Sequence, residues 1–267
     1  MAFAPPAIID GPARVGLPYG LFSVVTFRPE GDRRWLNGAG WDALTCDPAR
    51  GIGDPSCDPE VETVGLPKNL DHDYGQGAAS AFTVYGVWAC SAASGTPEYA
   101  DMMARAHLAA REEARVEQAL WLGDLGNAPN LTASVTAGGA GATVTGATLR
   151  EAVAELEYVF ARAHGTLGVI HAPRNLALLM VAEDVAAPVG SQLRTKLGTP
   201  IVAGAGYPDE GRIVATGQLL GYRTDVFVPS SRAGDLLDRA QNDLYAVAER
   251  TYLLGYDPCG VTAATIP

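Results

Sequence analysis

Four cysteines and four histidines are the side chains of this 267-residue sequence best suited to nucleophilic or metal chemistry. The cysteines stand at 46, 57, 90 and 259. They form no C-x-x-C pair, and no Cys/His spacing suits a structural zinc. Cys46 and Cys57 flank an Asp/Pro/Gly-rich loop and could meet in a disulfide, which a reducing compartment disfavours. Cys90 ends an aromatic run. A small buried hydrophobe is the plainer account of it, because a nucleophile needs a base that the sequence does not place. His72 lies in Asp71-His72-Asp73, a weak set of metal ligands that reads more simply as a solvated loop. Asp47, Asp54 and Asp58 lack the spacing and bidentate glutamate of a calcium loop, so Asp-Pro turn formation explains them better. His107 falls on the flank of a helix. His164 falls at a helix end, where a cation suits the dipole, and His171 ends a buried strand with scope for a local hydrogen bond. Asn130-Leu131-Thr132 is a glycosylation triplet.

The motif catalogue is otherwise empty. No G-x-x-x-x-G-K-[ST] phosphate loop, G-x-S-x-G elbow or H-E-x-x-H helix occurs. GAGATV at 139–144 and GAGYPD at 204–209 each lack the third glycine of a dinucleotide fingerprint. The sequence therefore assigns no catalytic, cofactor-binding or metal-ligating residue, and implies no cofactor.

The formal charge is −11, which argues against a general nucleic-acid binder, since such proteins displace phosphate counterions with clustered cations. At 48% hydrophobic and 18% charged, the chain can bury a core. Its longest apolar run, Leu176 to Ala182, is too short for a bilayer, and the first residues show no cationic region followed by an apolar core. A cytoplasmic protein is expected.

The elements that would position any site are unevenly spread. Residues 1–95 hold 22 of the 49 glycines and prolines and no good helical stripe. They contain two β-type runs, Gly20 to Arg28 and Ala81 to Ala89, separated by a polar, turn-rich stretch. A structureless loop of that length is improbable inside a compact domain. An extended arm and hairpin packing on other subunits is preferred to a lid over a site, with the two runs pairing as the hairpin's base. A helix is expected over 97–122, with Thr96 as N-cap, Pro97 at the first helical position and Gly123 as stop. Its inward stripe reads as Met102, Met103, Ala106, Ala109, Ala110 and Leu120, and Asp101–Arg105 and Glu112–Arg115 have ion-pair spacing. It should lie across a sheet as a spine. Residues 126–147 read as strand and turns. Thr148 to Glu151 is a capping box for a helix that Gly165 stops. Then come a strand at Leu167 to His171, an apolar helix opened by Pro173, a strand at Pro200 to Ala203, a hairpin over Arg212 to Val228, a long strand over Asp243 to Tyr256 and a last one at Val261 to Ile266. The class is α+β.

That order of elements resembles the major capsid protein of tailed bacteriophages, the Hong Kong 97-type capsid fold. The resemblance rests on an ordered set of segments: Glu117 to Asp124 where the spine helix ends, Leu197 to Val202 (LGTPIV), the Ala248-Glu249-Arg250 triplet of the closing strand, and the Asp257-Pro258 turn. It covers residues 80–267 well, and the arm only by analogy. It implies an N-terminal arm and extended loop over 1–95, a spine helix and peripheral-domain strands over 96–147, and an axial domain over 148–267 with a return strand to the peripheral domain. It implies a structural protein and no enzyme: pentamers and hexamers that close an icosahedral virion shell around phage DNA, assembled in the host cytoplasm. Scaffolding, portal and decoration proteins would be its partners, with no membrane. A net acidic wall would repel the enclosed DNA over a Debye length of about 8–10 Å. The sequence is short for that family and shows no scaffolding segment before the arm. Some relatives cross-link a loop lysine to an asparagine, and Lys68, beside Asn69, is the lysine placed for it; Lys196 is the chain's other one. Three alternatives remain open: an encapsulin-like compartment shell, a cytoplasmic hydrolase with residues 30–80 as a lid, and a viral tail or decoration protein, which would share the β-rich composition but not the long spine helix.

Overall fold

The computed structural model describes residues 15–29, 31–44, 49, 75–91, 96–137, 143–146, 148–229, 237–238 and 242–266. Its elements, in chain order, are β1 (Thr26–Arg28), β2 (Ala39–Ala43), β3 (Gly75–Ala79), β4 (Ala81–Ser91), α1 (Pro97–Leu122), α2 (Leu131–Ala137), β5 (Thr143–Thr145), α3 (Leu149–His164), β6 (Val169–Pro173), α4 (Arg174–Ala182), β7 (Ala186–Val189), β8 (Gln192–Thr195), β9 (Pro200–Gly204), β10 (Arg212–Thr216), β11 (Leu219–Arg223), β12 (Leu237–Asp238), β13 (Asp243–Tyr256) and β14 (Thr262–Thr265). Single turns of 3-10 helix occupy Leu21–Ser23 and Arg33–Asn37.

Among the described residues the strands form three sheets. One has the order β1-β11-β13-β12, with β4 also paired to β13. A seven-stranded sheet runs β5-β14-β10-β6-β9-β8-β7, and β2 and β3 form a two-stranded ribbon. The mixed class expected from the sequence is observed.

Helix α1 has the expected bounds. The Thr96 side chain accepts a hydrogen bond from the Tyr99 amide, and Gly123 closes the helix in the left-handed conformation at φ 70°. The helix lies across β4 and β13, as a spine. Of the expected inward stripe Leu120 is buried as expected, but the rest of the buried face differs: Ala100, Ala104, Leu108, Val116, Ala119 and Trp121 face inward, whereas Met102 is 54% exposed and Ala109 and Ala110 are exposed. A helix with alanine on every side carries little amphipathic contrast, so the facing sheet chooses the buried stripe. The ion pairs differ as well. Glu112 reaches Arg250 of β13, and Arg115 reaches Asp124 beyond the helix end.

Three further expectations are corrected. Residues 131–137, expected as strand and turn, form α2. The Asn130 side chain accepts from the Ala133 amide, Leu131 is fully buried, and the Thr132 hydroxyl donates to the Trp121 carbonyl, so local capping and an anchor outweigh the β-propensity of Thr and Val. Arg212 to Val228 is no hairpin. Strand β10 pairs with β6 and β14, and β11 pairs with β13 and β1, in the other sheet. The chain changes sheet at Gly217, where a Cβ would stand 2.9 Å from Cβ of Asp257. The runs Gly20 to Arg28 and Ala81 to Ala89 do not pair with each other either. Strand β1 lies parallel to β11, β4 lies antiparallel to β13, and the antiparallel ribbon is formed by β2 and β3.

The expected N-cap and stop of α3 hold: Thr148 accepts from the Glu151 amide, and Gly165 ends the helix at φ 71°. Leu149, Ala152, Val153, Leu156 and Phe160 pack with α4 on the seven-stranded sheet. A second core lies between α1 and the sheet of β4 and β13. No helix among the described residues is long and apolar enough to cross a membrane.

Candidate functional site: a buried polar joint between the two sheets

The polar side chains that the fold brings together most tightly lie where α1 meets the seven-stranded sheet. Glu117 is 1% exposed, although it sits on a helix face otherwise made of Ala, Val, Leu and Trp. Its Oε1 accepts from the Leu21 amide at 3.0 Å and its Oε2 from the Gly206 amide at 2.9 Å. One helical turn earlier, Glu113 Oε1 accepts from the Phe22 amide at 2.8 Å. Burial pushes the Glu117 carboxyl up to about 7, against the opposing pull of the Gly206 and Leu21 amides. Burial also raises Glu113.

The turn after β9 touches α1 directly. A Cβ on Gly206 would fall 1.8 Å from the Ala114 carbonyl oxygen, so only glycine permits this approach. Tyr207 follows, with its ring 4.9 Å from that of Trp121, and the Arg212 guanidinium lies 5.6 Å from the Trp121 ring. The Tyr207 hydroxyl lies 2.8 Å from Nδ1 of His171, whose Nε2 lies 3.0 Å from Oγ1 of Thr216. Thr216 donates its own proton to the Gly217 carbonyl. With Thr216 so engaged, a neutral ring is accommodated with His171 Nε2–H donating to Thr216 and Tyr207 O–H donating to Nδ1. The ring is neutral and fully engaged. Burial drives its pKa down to about 3, and burial raises that of Tyr207.

A second polar contact fixes α1 to β13. Arg250 Nη1 donates to both Glu112 oxygens, at 3.0 and 3.1 Å, and the Tyr252 hydroxyl donates to Glu112 Oε2 at 3.1 Å.

The structure disperses the reactive candidates of the sequence. Cys90 is a half-buried free thiol packed against the core. His107 Nδ1 lies 3.0 Å from the Val87 carbonyl. His164 is buried and hydrogen-bonded to the Cys259 carbonyl; burial lowers its pKa, so it is not the helix-end cation that its position suggested. His171 bonds to residues 36 and 45 positions away, not locally. Asn130 caps α2. Cys259 is disulfide-bonded. Cys46, Cys57, His72, Asp47, Asp54, Asp58, Lys68 and Asn69 lie outside the described residues. Among the described residues no three His, Cys, Asp or Glu side chains converge on a metal position. A cleft of about 600 Å³ beside α3 is lined by Ala154, Tyr158, Phe160, Leu167 and Leu197; its carboxylate, Glu157, accepts from the Thr195 hydroxyl.

Sequence reasoning missed Glu113 and Glu117. The available signal was two acids four residues apart, the second of them flanked by Val116, Ala119 and Leu120. The arrangement as a whole ties α1 to residues 21–22, to the turn after β9 and to β13 through hydrogen bonds, an arrangement suited to holding geometry.

No family model and no curated protein sequence matches the chain. Solved structures do. A chain from Mycobacterium phage Adephagia is 15% identical and superposes with a TM-score of 0.58, covering 97% of this chain and 96% of its own. One from Mycobacterium phage Cain is 14% identical at a TM-score of 0.56, covering 95% and 93%. A chain from the capsid of an empty GTA particle, computed with C5 symmetry, is 11% identical at a TM-score of 0.54, covering 99% and 95%. With near-complete coverage of both chains and the spine helix, two sheets and closing strand in place, this protein has the Hong Kong 97-type capsid fold.

Proposed function

We propose that this protein is a major capsid protein of a tailed phage, a structural rather than catalytic molecule that self-assembles into the virion shell. The observation that carries this reading is the likeness in fold along nearly the whole of both chains, including one from the capsid of an empty GTA particle. The joint supports it. Glu117 ties α1 to the turn after β9, Glu112 ties it to β13, and His171 joins that turn to β6 and β10, which suits a subunit that must keep its shape in many copies. Net charge supports it too, because a shell of −11 per subunit does not trap the DNA it encloses.

The finer reading is as follows. Residues 1–95 supply the arm and extended loop, 96–147 the spine helix and peripheral-domain strands, and 148–267 the axial domain with its return strand. Subunits form pentamers and hexamers in the host cytoplasm and enclose phage DNA without binding it specifically. Scaffolding, portal and decoration proteins are the partner classes that belong with such a shell. Electron microscopy and analytical ultracentrifugation of the purified full-length protein test this. Ring-shaped capsomers or closed particles are expected. A monomer at every concentration and salt condition, with or without phage proteins co-expressed, overturns it.

A further inference from the structure

Residues 18–23 form a strap across the molecule. Each end is gripped from the side of the seven-stranded sheet: Arg174 Nη1 donates to the Pro18 carbonyl, the Ala203 amide donates to the Tyr19 carbonyl, and Gln192 Nε2 donates to the Ser23 carbonyl. The middle is gripped from the other side, by α1. Glu113 and Glu117, on successive turns of that helix, accept the amides of Phe22 and Leu21. Gly20 makes the grip possible, since a Cβ there would lie 2.4 Å from Glu113 Oε1 and 3.1 Å from Glu117 Oε1. Leu21 itself is fully buried. Two carboxylates thus face one short segment from one helix.

The charges around them are unequal to neutralising both. Glu112 adds a further negative charge from α1. Arg174 of α4 supplies the opposing charge, with its guanidinium already spent on the Pro18 and Ala203 carbonyls. From the turn after β9, Tyr207 keeps its proton and points its hydroxyl at His171, which is neutral. Backbone amides alone therefore stabilise the second carboxylate.

We propose that Glu113 and Glu117 form a proton-operated latch on residues 20–23, seated while one of the pair is protonated and released from α1 when both carboxylates ionise. The direction follows from linkage. The seated Glu117 holds its proton up to about 7, whereas a glutamate freed into solvent loses it near 4.5. The seated state binds protons more tightly, so its advantage is complete below about 4.5 and is lost as pH rises to about 7. This device is built into a single subunit and stands independently of the capsid reading.

Hydrogen–deuterium exchange of the full-length protein at pH 5.5 and 8.5, corrected for intrinsic rates, tests it. Protection of the 21–24 amides is expected to fall at least about tenfold from the lower to the higher pH, while that of Ala246 and Ala248 in β13 stays constant. In the E113Q/E117Q double variant the strap's protection should no longer change with pH. If that variant does not fold, E113Q alone should show a smaller fall than the native protein. Strap protection that is constant or rises with pH in the native protein overturns the latch, as does an undiminished fall in whichever variant folds.

Discussion

The backbone of Gly86 passes directly under Leu108. A Cβ at residue 86 would stand 2.6 Å from the Leu108 amide nitrogen and 2.9 Å from the Ala104 carbonyl oxygen. The missing side chain is what lets the spine helix settle onto β4, and Ala100 and Ala104 complete the close approach from the helix side.

The obstructing atoms are backbone, so no rotamer change can make room for a methyl group. Gly86→Ala should therefore destabilise the fold by about 2–4 kcal/mol, the range of an overpacked core with a displaced helix. Chemical denaturation followed by tryptophan fluorescence measures it. Gly31→Ala, at an exposed site where a Cβ meets nothing within 4 Å, is the control and should stay within about 0.5 kcal/mol of the native protein.

Glu112 is the common acceptor of Arg250 and Tyr252. Removing it by Glu112→Ala leaves a largely buried guanidinium without its hydrogen-bonded carboxylate and with only the more distant charge of Asp225, so a loss of about 3 kcal/mol is expected. Replacing the partner by Arg250→Met should cost less, because the methionine keeps much of the packing of the arginine stem. In the double variant the buried cation is gone along with the acid, so its cost should fall below the sum of the two single ones. A double-mutant cycle in urea measures this coupling, at least about 1 kcal/mol for a shared hydrogen-bond network.

Elements that announce themselves by local chemistry were legible in the sequence. Thr96, Gly123, Thr148 and Gly165 fixed the bounds of α1 and α3, because capping is decided within a few residues. What depends on a distant partner was not legible. The inward face of α1 is chosen by Gly86, and the passage of β10 into β11 across two sheets is set by crowding of Gly217 against Asp257 and His164. The joint was invisible for the same reason. Glu113 looks like one more surface acid in a charged helix until residues 20–22 are laid against it, and His171 meets Tyr207 and Thr216 only through pairing of β6 with β9 and β10.

His171 gives the acid side of the stability profile. In the folded protein it stays neutral down to about 3, whereas in the unfolded chain it takes up a proton near 6.5. The unfolded state therefore binds more protons between those values. The contribution is fully present above pH 6.5 and is lost as pH falls towards 3, amounting to about 4–5 kcal/mol over the whole interval. Glu117 slopes the other way, its contribution being lost from pH 4.5 up to about 7. The two slopes cancel where they overlap, so stability should be level between about pH 4.5 and 6.5 and lower at pH 3 and above pH 7. Replacing Glu117 by Gln should turn that level stretch into a continuous rise up to about pH 6.5 and leave the loss below about pH 4.5 in place. Thr216→Val removes the acceptor of the Nε2 proton without changing side-chain size much. It should destabilise by about 1–3 kcal/mol, as an orphaned buried donor does, while the acid slope persists because the ring remains buried. The tautomer is directly observable. With ¹⁵N-labelled histidine, the His171 ring should show protonated Nε2 and bare Nδ1, unchanged from pH 8 to 4.5. A ring that titrates near 6.5 in the folded protein would contradict the sealed joint.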